Sequence, residues 1–217
     1  MRWLYVLCEG QTEEALVDRV LAPHLTTFDV ELAPVVVATK RPAAGGKFRG
    51  GVVSWAQVKR EVVRLLKDRS ALGVTTMIDL YGLREGWPGW DAPAHSPRER
   101  VERLEAGMCD DVGDSRFIAH LTLHEYETLV LACPQEAAAV SGMSELDGRL
   151  RTDAAQAGGP ELVDDGPTTA PSKRLIALWP GYLKTTDGPT IVERAGLAAV
   201  REACPHFDAW ITPLESQ

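Results

Sequence analysis

The chain has 217 residues, 45% of them hydrophobic and 25% charged, which suits one well-filled core and excludes a disordered or fibrous chain. Its formal charge of −8 gives a whole-molecule field that does not attract DNA or an anionic membrane. The longest apolar runs, such as residues 4–8 and 35–38, fall far short of a membrane span.

In chain order, residues 3–8 form a continuous apolar run with aromatics, the pattern of a strand buried on both faces. Thr12 is the expected cap of a helix whose first turn carries Glu13 and Glu14. Leu16, Val20, Leu21, Leu25 and Phe28 give that helix an apolar stripe. Residues 32–39, rich in Val, read as a second strand. Ser54 and Gln57 are spaced as a capping box, opening a helix with Val58, Val62, Leu65 and Leu66 on one face. A third strand covers residues 74–78 and ends at Asp79. A loop rich in Gly, Pro and Trp then runs to His95. Ser96-Pro97-Arg98-Glu99 marks the next helix with a cap, a proline at the first helical position and a glutamate three residues after the cap. Residues 117–123 read as the fourth strand. The rest is mostly helical, with a turn-rich interruption at 158–171 and a last long helix capped at Thr190 and stopping at Cys204-Pro205.

Strands alternating with helices predict parallel pairing through right-handed crossovers. The expected fold is therefore α/β: a mainly parallel sheet of about four strands flanked by helices, with a mostly helical C-terminal part, in one domain spanning residues 1–217. Cys8, Cys109, Cys133 and Cys204 are scattered singly, which excludes a zinc ribbon and speaks against a disulfide framework. Reduced thiols are expected. The opening stretch reaches Glu9 too early for a secretory signal, so the expected location is the cytoplasm.

Charge is unevenly placed. Residues 40–69 hold nine basic side chains against two acidic ones, a net +7, which leaves −15 on the other 187 residues. Two readings stand open. In one, Lys40, Arg41, Lys47 and Arg49 form a flexible loop that clamps a nucleic-acid backbone. In the other, the segment is a solvated surface loop and helix face. The stretch Gly45-Gly46-Lys47-Phe48 fails as a Walker A motif, because Phe48 stands where Ser or Thr must bind the magnesium.

The carboxylates carry more information. In a parallel sheet the strands end at one edge, and ligands bind outside those ends. Here the first strand ends at Glu9, the third at Asp79, and the fourth is followed by Glu125 and Glu127, with Glu13 one helical turn beyond Glu9. Acidic groups gathered at one edge repel each other unless a cation neutralises them, and oxygen ligands suit Mg²⁺ or Mn²⁺. Other chemistries are excluded: Thr128 breaks HExxH, and neither GxSxG nor GxGxxG occurs. His120 and His124, if extended, stand roughly 13 Å apart at about 3.3 Å per residue, too far to share one ion. His124 reads as an outer partner or a packing residue, with an active-site proton role as the alternative, and His206, beyond a helix end, as structural. Trp87 and Trp90 read as packing on their own domain, with base stacking as the alternative.

Glu9-Gly10-Gln11-Thr12-Glu13 resembles the opening glutamate motif of Toprim domains, especially that of OLD-type nucleases. Asp79 in Ile78-Asp79-Leu80-Tyr81-Gly82 resembles the Toprim aspartate motif, with Tyr81 where a second aspartate is usual. More broadly the chain resembles a bacterial Toprim-like family, a domain of unknown function often encoded beside AAA-type ATPases. Its marks here are Asp79-Leu80-Tyr81-Gly82, Arg116-Phe117-Ile118, His124-Glu125-Tyr126-Glu127-Thr128-Leu129, Thr169-Ala170-Pro171-Ser172-Lys173-Arg174 and Cys204-Pro205-His206-Phe207.

The resemblance implies a Toprim-like fold with Glu9 as a metal ligand or general base and Asp79 as a metal ligand. It implies that Glu13, with Glu125 or Glu127, completes the cluster or a second metal position, and that Lys173 lies near the scissile phosphate. Ser172, at the expected start of a helix, reads as its N-cap. The implied activity is a Mg²⁺- or Mn²⁺-dependent nuclease acting on DNA or RNA, with an AAA-type ATPase as partner in phage defence. Two alternatives remain: a non-catalytic subunit docked on the ATPase, for which Tyr81 speaks, and a small-molecule phosphatase or phosphotransferase using the same metal cluster.

Overall fold

In the computed structural model, strand β1, Arg2–Cys8, runs between two parallel neighbours, β2 at Val30–Val36 and β3 at Gly73–Asp79. The residues described are 2–37, 54–163, 166 and 169–217. The sheet order is β2-β1-β3-β4, with β4 at Phe117–Ile118, and β5 at Leu121–Thr122 also pairing with β3. Every pairing is parallel. Pro34, which cannot donate to a ladder, sits in the edge strand β2.

The expected fourth strand is thus two short pieces. Between them the hydroxyl of Thr76 takes over from the backbone ladder: its Oγ1 donates to the His120 carbonyl at 2.8 Å and accepts from the His120 N–H at 2.9 Å. Both backbone groups are satisfied, so the interruption leaves no buried orphan there.

From β1 the chain reaches β2 through α1 at Gln11–Leu16, a π-helical turn at Val17–Leu21, α2 at Ala22–Leu25 and a 3₁₀ turn at Thr26–Phe28. Helix α3, Trp55–Leu65, precedes β3 on the other side of β1. The first crossover goes one way and the next returns past β1, so the ends of β1 and β3 form a topological switch point, where parallel sheets bind ligands.

Side chains alternate between two cores with the strand period of two. Leu4, Val6, Cys8 and Met77 pack with α1 and the C-terminal helices. Leu7, Val74 and Ile78 pack with Val58 and Val62 of α3 and with Leu104 and Met108 of α4, Pro97–Val112.

The local start signals hold at two helices. Ser54 and Gln57 form the capping box of α3, and Ser96 Oγ accepts from the Glu99 N–H at 3.1 Å at the start of α4. Thr12, in contrast, is not a cap. The N-cap of α1 is Gly10, and Thr12 is buried inside the first turn. Gly10 is extended, at φ −156, and what it provides is room: a Cβ there would lie 3.3 Å from Glu13 Oε2.

After β5 follow α5 at Glu127–Leu131, α6 at Pro134–Ser141, α7 at Glu145–Ala157 and α8 at Pro171–Leu178. The expected last long helix is instead α9, Asp187–Ala195, and α10, Leu197–Ala203, broken at Gly196 with φ 81. Helix α11, Pro205–Leu214, completes the fold. Trp87 is buried against Trp55 with ring centroids 5.5 Å apart, and the Arg100 guanidinium lies 4.6 Å over Trp90, so the tryptophan loop packs on its own domain. Among the described residues no helix is long and apolar enough to cross a membrane. All four cysteines are free thiols.

Candidate functional site

Glu9 is the first residue past β1, and its Oε2 accepts a hydrogen bond from the backbone N–H of Asp79, the last residue of β3, at 3.1 Å. Glu13 lies in α1, a few residues from Glu9. Glu127 opens α5. It is reached through a sharp bend at His124, whose φ of 68 is in the left-handed region that a non-glycine residue seldom occupies. The loop before α9 supplies Lys184, with Nζ 3.1 Å from Glu127 Oε2 and 3.5 Å from Asp79 Oδ2. Tyr182 OH donates to Glu127 Oε1 at 3.4 Å. Glu13, Asp79 and Glu127 are buried and Glu9 is half-buried.

Burial and mutual repulsion set the electrostatics. Loss of solvent raises the pKa of Glu9, against the hydrogen bond from Asp79, and Glu13 pushes it further up. Burial likewise raises Glu13 and Glu127 against the pull of Lys184. Asp79 is raised well above the ordinary carboxylate value, by burial first and then by Glu13, Glu9 and Glu127. Burial alone would lower Lys184, but Asp79, Glu127 and Glu13 outweigh it and hold the ammonium above its usual pKa. One ammonium is set among four carboxyl groups whose burial opposes their ionisation.

The structure thus brings together Glu9, Glu13, Asp79 and Glu127 of the expected residues. Glu125 is directed elsewhere: its Oε1 accepts from the Ser172 N–H at 2.5 Å, satisfying an orphan donor in the first turn of α8. Ser172 is therefore not the cap of α8, whose N-cap is Ala170 with Pro171 at the first position. Lys173 is exposed on α8, and the cation inside the cluster is Lys184. Tyr81 is 38% exposed, and its backbone N–H donates to the His124 carbonyl. Lys40, Arg41, Lys47 and Arg49 lie outside the described residues. Lys184 was not singled out from the sequence because a lysine in a turn carries no periodic or motif signal.

A second group of titratable residues also escaped the sequence reading. Glu105 of α4, His120 at the strand interruption and His206 of α11 each offer a ligand atom, and these atoms all lie within 4.8 Å of one another. Their separation along the chain hides them: His120 has His124 as its sequence neighbour, but its spatial neighbour is His206.

The family model of a domain of unknown function, DUF4276, matches residues 8–215. The chain belongs to this family. The DUF4276 match begins at the last residue of β1, takes in the other strands, the carboxylate cluster and the C-terminal helices, and agrees with the resemblance to a Toprim-like domain of unknown function read from the sequence. No match was found among curated proteins. Among solved structures the chain is similar to the C-terminal region of the Burkholderia pseudomallei OLD protein, at 15% identity and a TM-score of 0.45, over 100% of this chain and 96% of that one. The mainly parallel α/β architecture that the resemblance implies is the one observed.

Proposed function

We propose that this DUF4276 protein is a divalent-metal-dependent nuclease whose centre is Glu9, Glu13, Asp79 and Glu127 at the carboxyl edge of the sheet. The observation that carries the reading is the convergence of four carboxylates from separate elements on that edge, with Lys184 among them. The donor set fits a hard cation. All the donor groups are carboxyl oxygens, four such groups outnumber the one ammonium of Lys184, and Asp79 Oδ1 is buried with no hydrogen-bond partner. Glu9, Glu13, Asp79 and Glu127 would hold the ion, and Mg²⁺ or Mn²⁺ suits such ligands. When bound, it supplies Lewis acidity to a phosphodiester.

The chain's own groups do the rest. Glu9, with its orientation fixed by the Asp79 N–H, takes the proton of the attacking water. The water oxygen bonds to phosphorus as the bond to the leaving sugar oxygen breaks, and that oxygen takes up a proton from solvent to leave as a hydroxyl. Lys184, held by Glu127, offsets the charge that develops on the phosphoryl oxygens. Lys173 contributes a phosphate contact at the surface, and Lys40, Arg41, Lys47 and Arg49 hold the nucleic-acid backbone. Glu125 positions α8, and with it Lys173. In the setting implied by the Toprim resemblance, an AAA-type ATPase is the partner, in defence against phage.

Incubating the protein with plasmid DNA and with RNA in Mn²⁺ or Mg²⁺ tests the reading. Glu9→Gln and Asp79→Asn are expected to cut cleavage by about 100-fold or more. Equal cleavage by variants and wild type, or none by the wild type with either ion, counts against it. Tyr81, in place of the second Toprim aspartate, favours a second reading as a non-catalytic subunit docked on the ATPase. Its mark is tight binding to that ATPase with no Mn²⁺ uptake in calorimetry.

A further inference from the structure

Glu105, His120 and His206 lie away from the carboxylate edge. His120 and Trp210 are anchored at the middle of β3, through Thr76 and through a 2.8 Å hydrogen bond from Trp210 Nε1 to Thr75 Oγ1. Thr75 is four residues before Asp79, roughly 13 Å of extended chain. His120 is buried, 1% exposed, between two rings: Trp210 stacks on it at 4.1 Å and 3°, and His206 at 5.1 Å and 25°.

The polar geometry around His120 is incomplete. Its Nε2 is buried with no hydrogen-bond partner, and its Nδ1 stands 3.5 Å from Glu105 Oε1, long for a hydrogen bond. His206 Nε2 lies 3.0 Å from the same Glu105 oxygen and 3.2 Å from the Leu121 carbonyl. The atom of His120 that faces Glu105, Nδ1, thus has only one long contact, and a buried ring nitrogen without a close partner is costly.

We infer that these three side chains form a binding site for Zn²⁺. A tetrahedral zinc with bonds of about 2.0 Å separates its ligands by roughly 3.3 Å; Glu105 Oε1 stands 3.0 Å from His206 Nε2 and 3.5 Å from His120 Nδ1, and the ligand atoms of all three side chains lie within 4.8 Å of one another. Two imidazoles and a carboxylate provide three ligands. The fourth position falls to the Leu121 carbonyl or to a water, for which a cavity of about 160 Å³ lined by Glu105, His120, His206 and Trp210 has room.

Imidazole selects zinc over the magnesium or manganese that the all-oxygen edge suits, so the two sites sort different ions. In the metal-free protein the His206 Nε2–H is shared between Glu105 and the Leu121 carbonyl. The metal takes the place of that proton, which leaves to solvent, so uptake strengthens as pH rises. The ion joins α4, the interrupted strand and α11, and its role is structural.

Calorimetry and metal analysis of the full chain with ZnCl₂ test the assignment. One Zn²⁺ per chain is expected, retained in Asp79→Asn. Glu105→Gln and His206→Gln are expected to weaken it by more than the roughly 10–100-fold caused by loss of an outer partner. A wild type that binds no Zn²⁺, or a zinc site lost in Asp79→Asn but kept in Glu105→Gln, overturns it. The wild type loaded with Co²⁺ gives a reading that needs no variant. Intense tetrahedral visible bands support the site, and weak octahedral bands alone overturn it. Neither measurement depends on nuclease activity.

Discussion

Glu9 Oε2 accepts the backbone N–H of Asp79 at 3.1 Å, joining the ends of two adjacent parallel strands across 70 residues of sequence. This bond places one carboxylate over the end of β1 and the other over the end of β3, and Lys184 then bridges from Asp79 to Glu127. The cluster therefore hangs on sheet register, which pairs Cys8 with Met77 just below it.

Lys184 offsets the repulsion in metal-free protein. Lys184→Met is expected to lower unfolding free energy in EDTA near neutral pH by about 1–2 kcal/mol, less than a fully buried pair would lose, because the side chain is 40% exposed. Urea denaturation reads the change. Unchanged stability would show that the ammonium does not balance the cluster.

Asp79 gives the cluster its pH dependence. Its folded pKa lies above the unfolded value, so its contribution to stability is fully present below the ordinary carboxylate pKa and is lost as pH rises through the raised folded value. Asp79→Asn removes that loss. In EDTA the variant should exceed the wild type by on the order of 1–2 kcal/mol at mildly alkaline pH, with the gap closing toward about pH 4. Thermal melts across that range check it, and a gap that widens on acidification would contradict the sign.

Gly73 is fixed by strand spacing. A Cβ there would lie 2.1 Å from the Arg116 carbonyl oxygen, the acceptor of the Val74 N–H. Gly73→Ala gains about 0.4–1 kcal/mol by stiffening the unfolded chain, but forcing β3 from the segment before β4 costs more. A net loss of about 2–4 kcal/mol is expected in denaturant titration. An alanine variant as stable as the wild type would mean that the strands shift freely.

Much of the fold was legible because its signals are local. The apolar runs of β1 and β3 and the caps at Ser54 and Ser96 act within a few residues. Parallel order then followed from helices alternating with strands, and parallel order places strand-end acids on one edge. The errors share a cause. Thr12 lost the cap position to Gly10, and Glu125 did for α8 what Ser172 was expected to do, because each outcome depends on which groups lie nearby in space. The split of the fourth strand turns on Thr76, 44 residues from its partner His120.

Sequence by itself determined β1 and β3, two helix starts and the edge on which Glu9 and Asp79 emerge, since short-range backbone preference and a period of two or 3.6 suffice for those. Only the tertiary structure decided that Lys184 rather than Lys173 enters the cluster, that Glu125 turns away, and that Glu105, His120 and His206 meet. Those choices rest on burial and charge at distances of a few ångströms between segments far apart in the chain, and no local pattern encodes such distances.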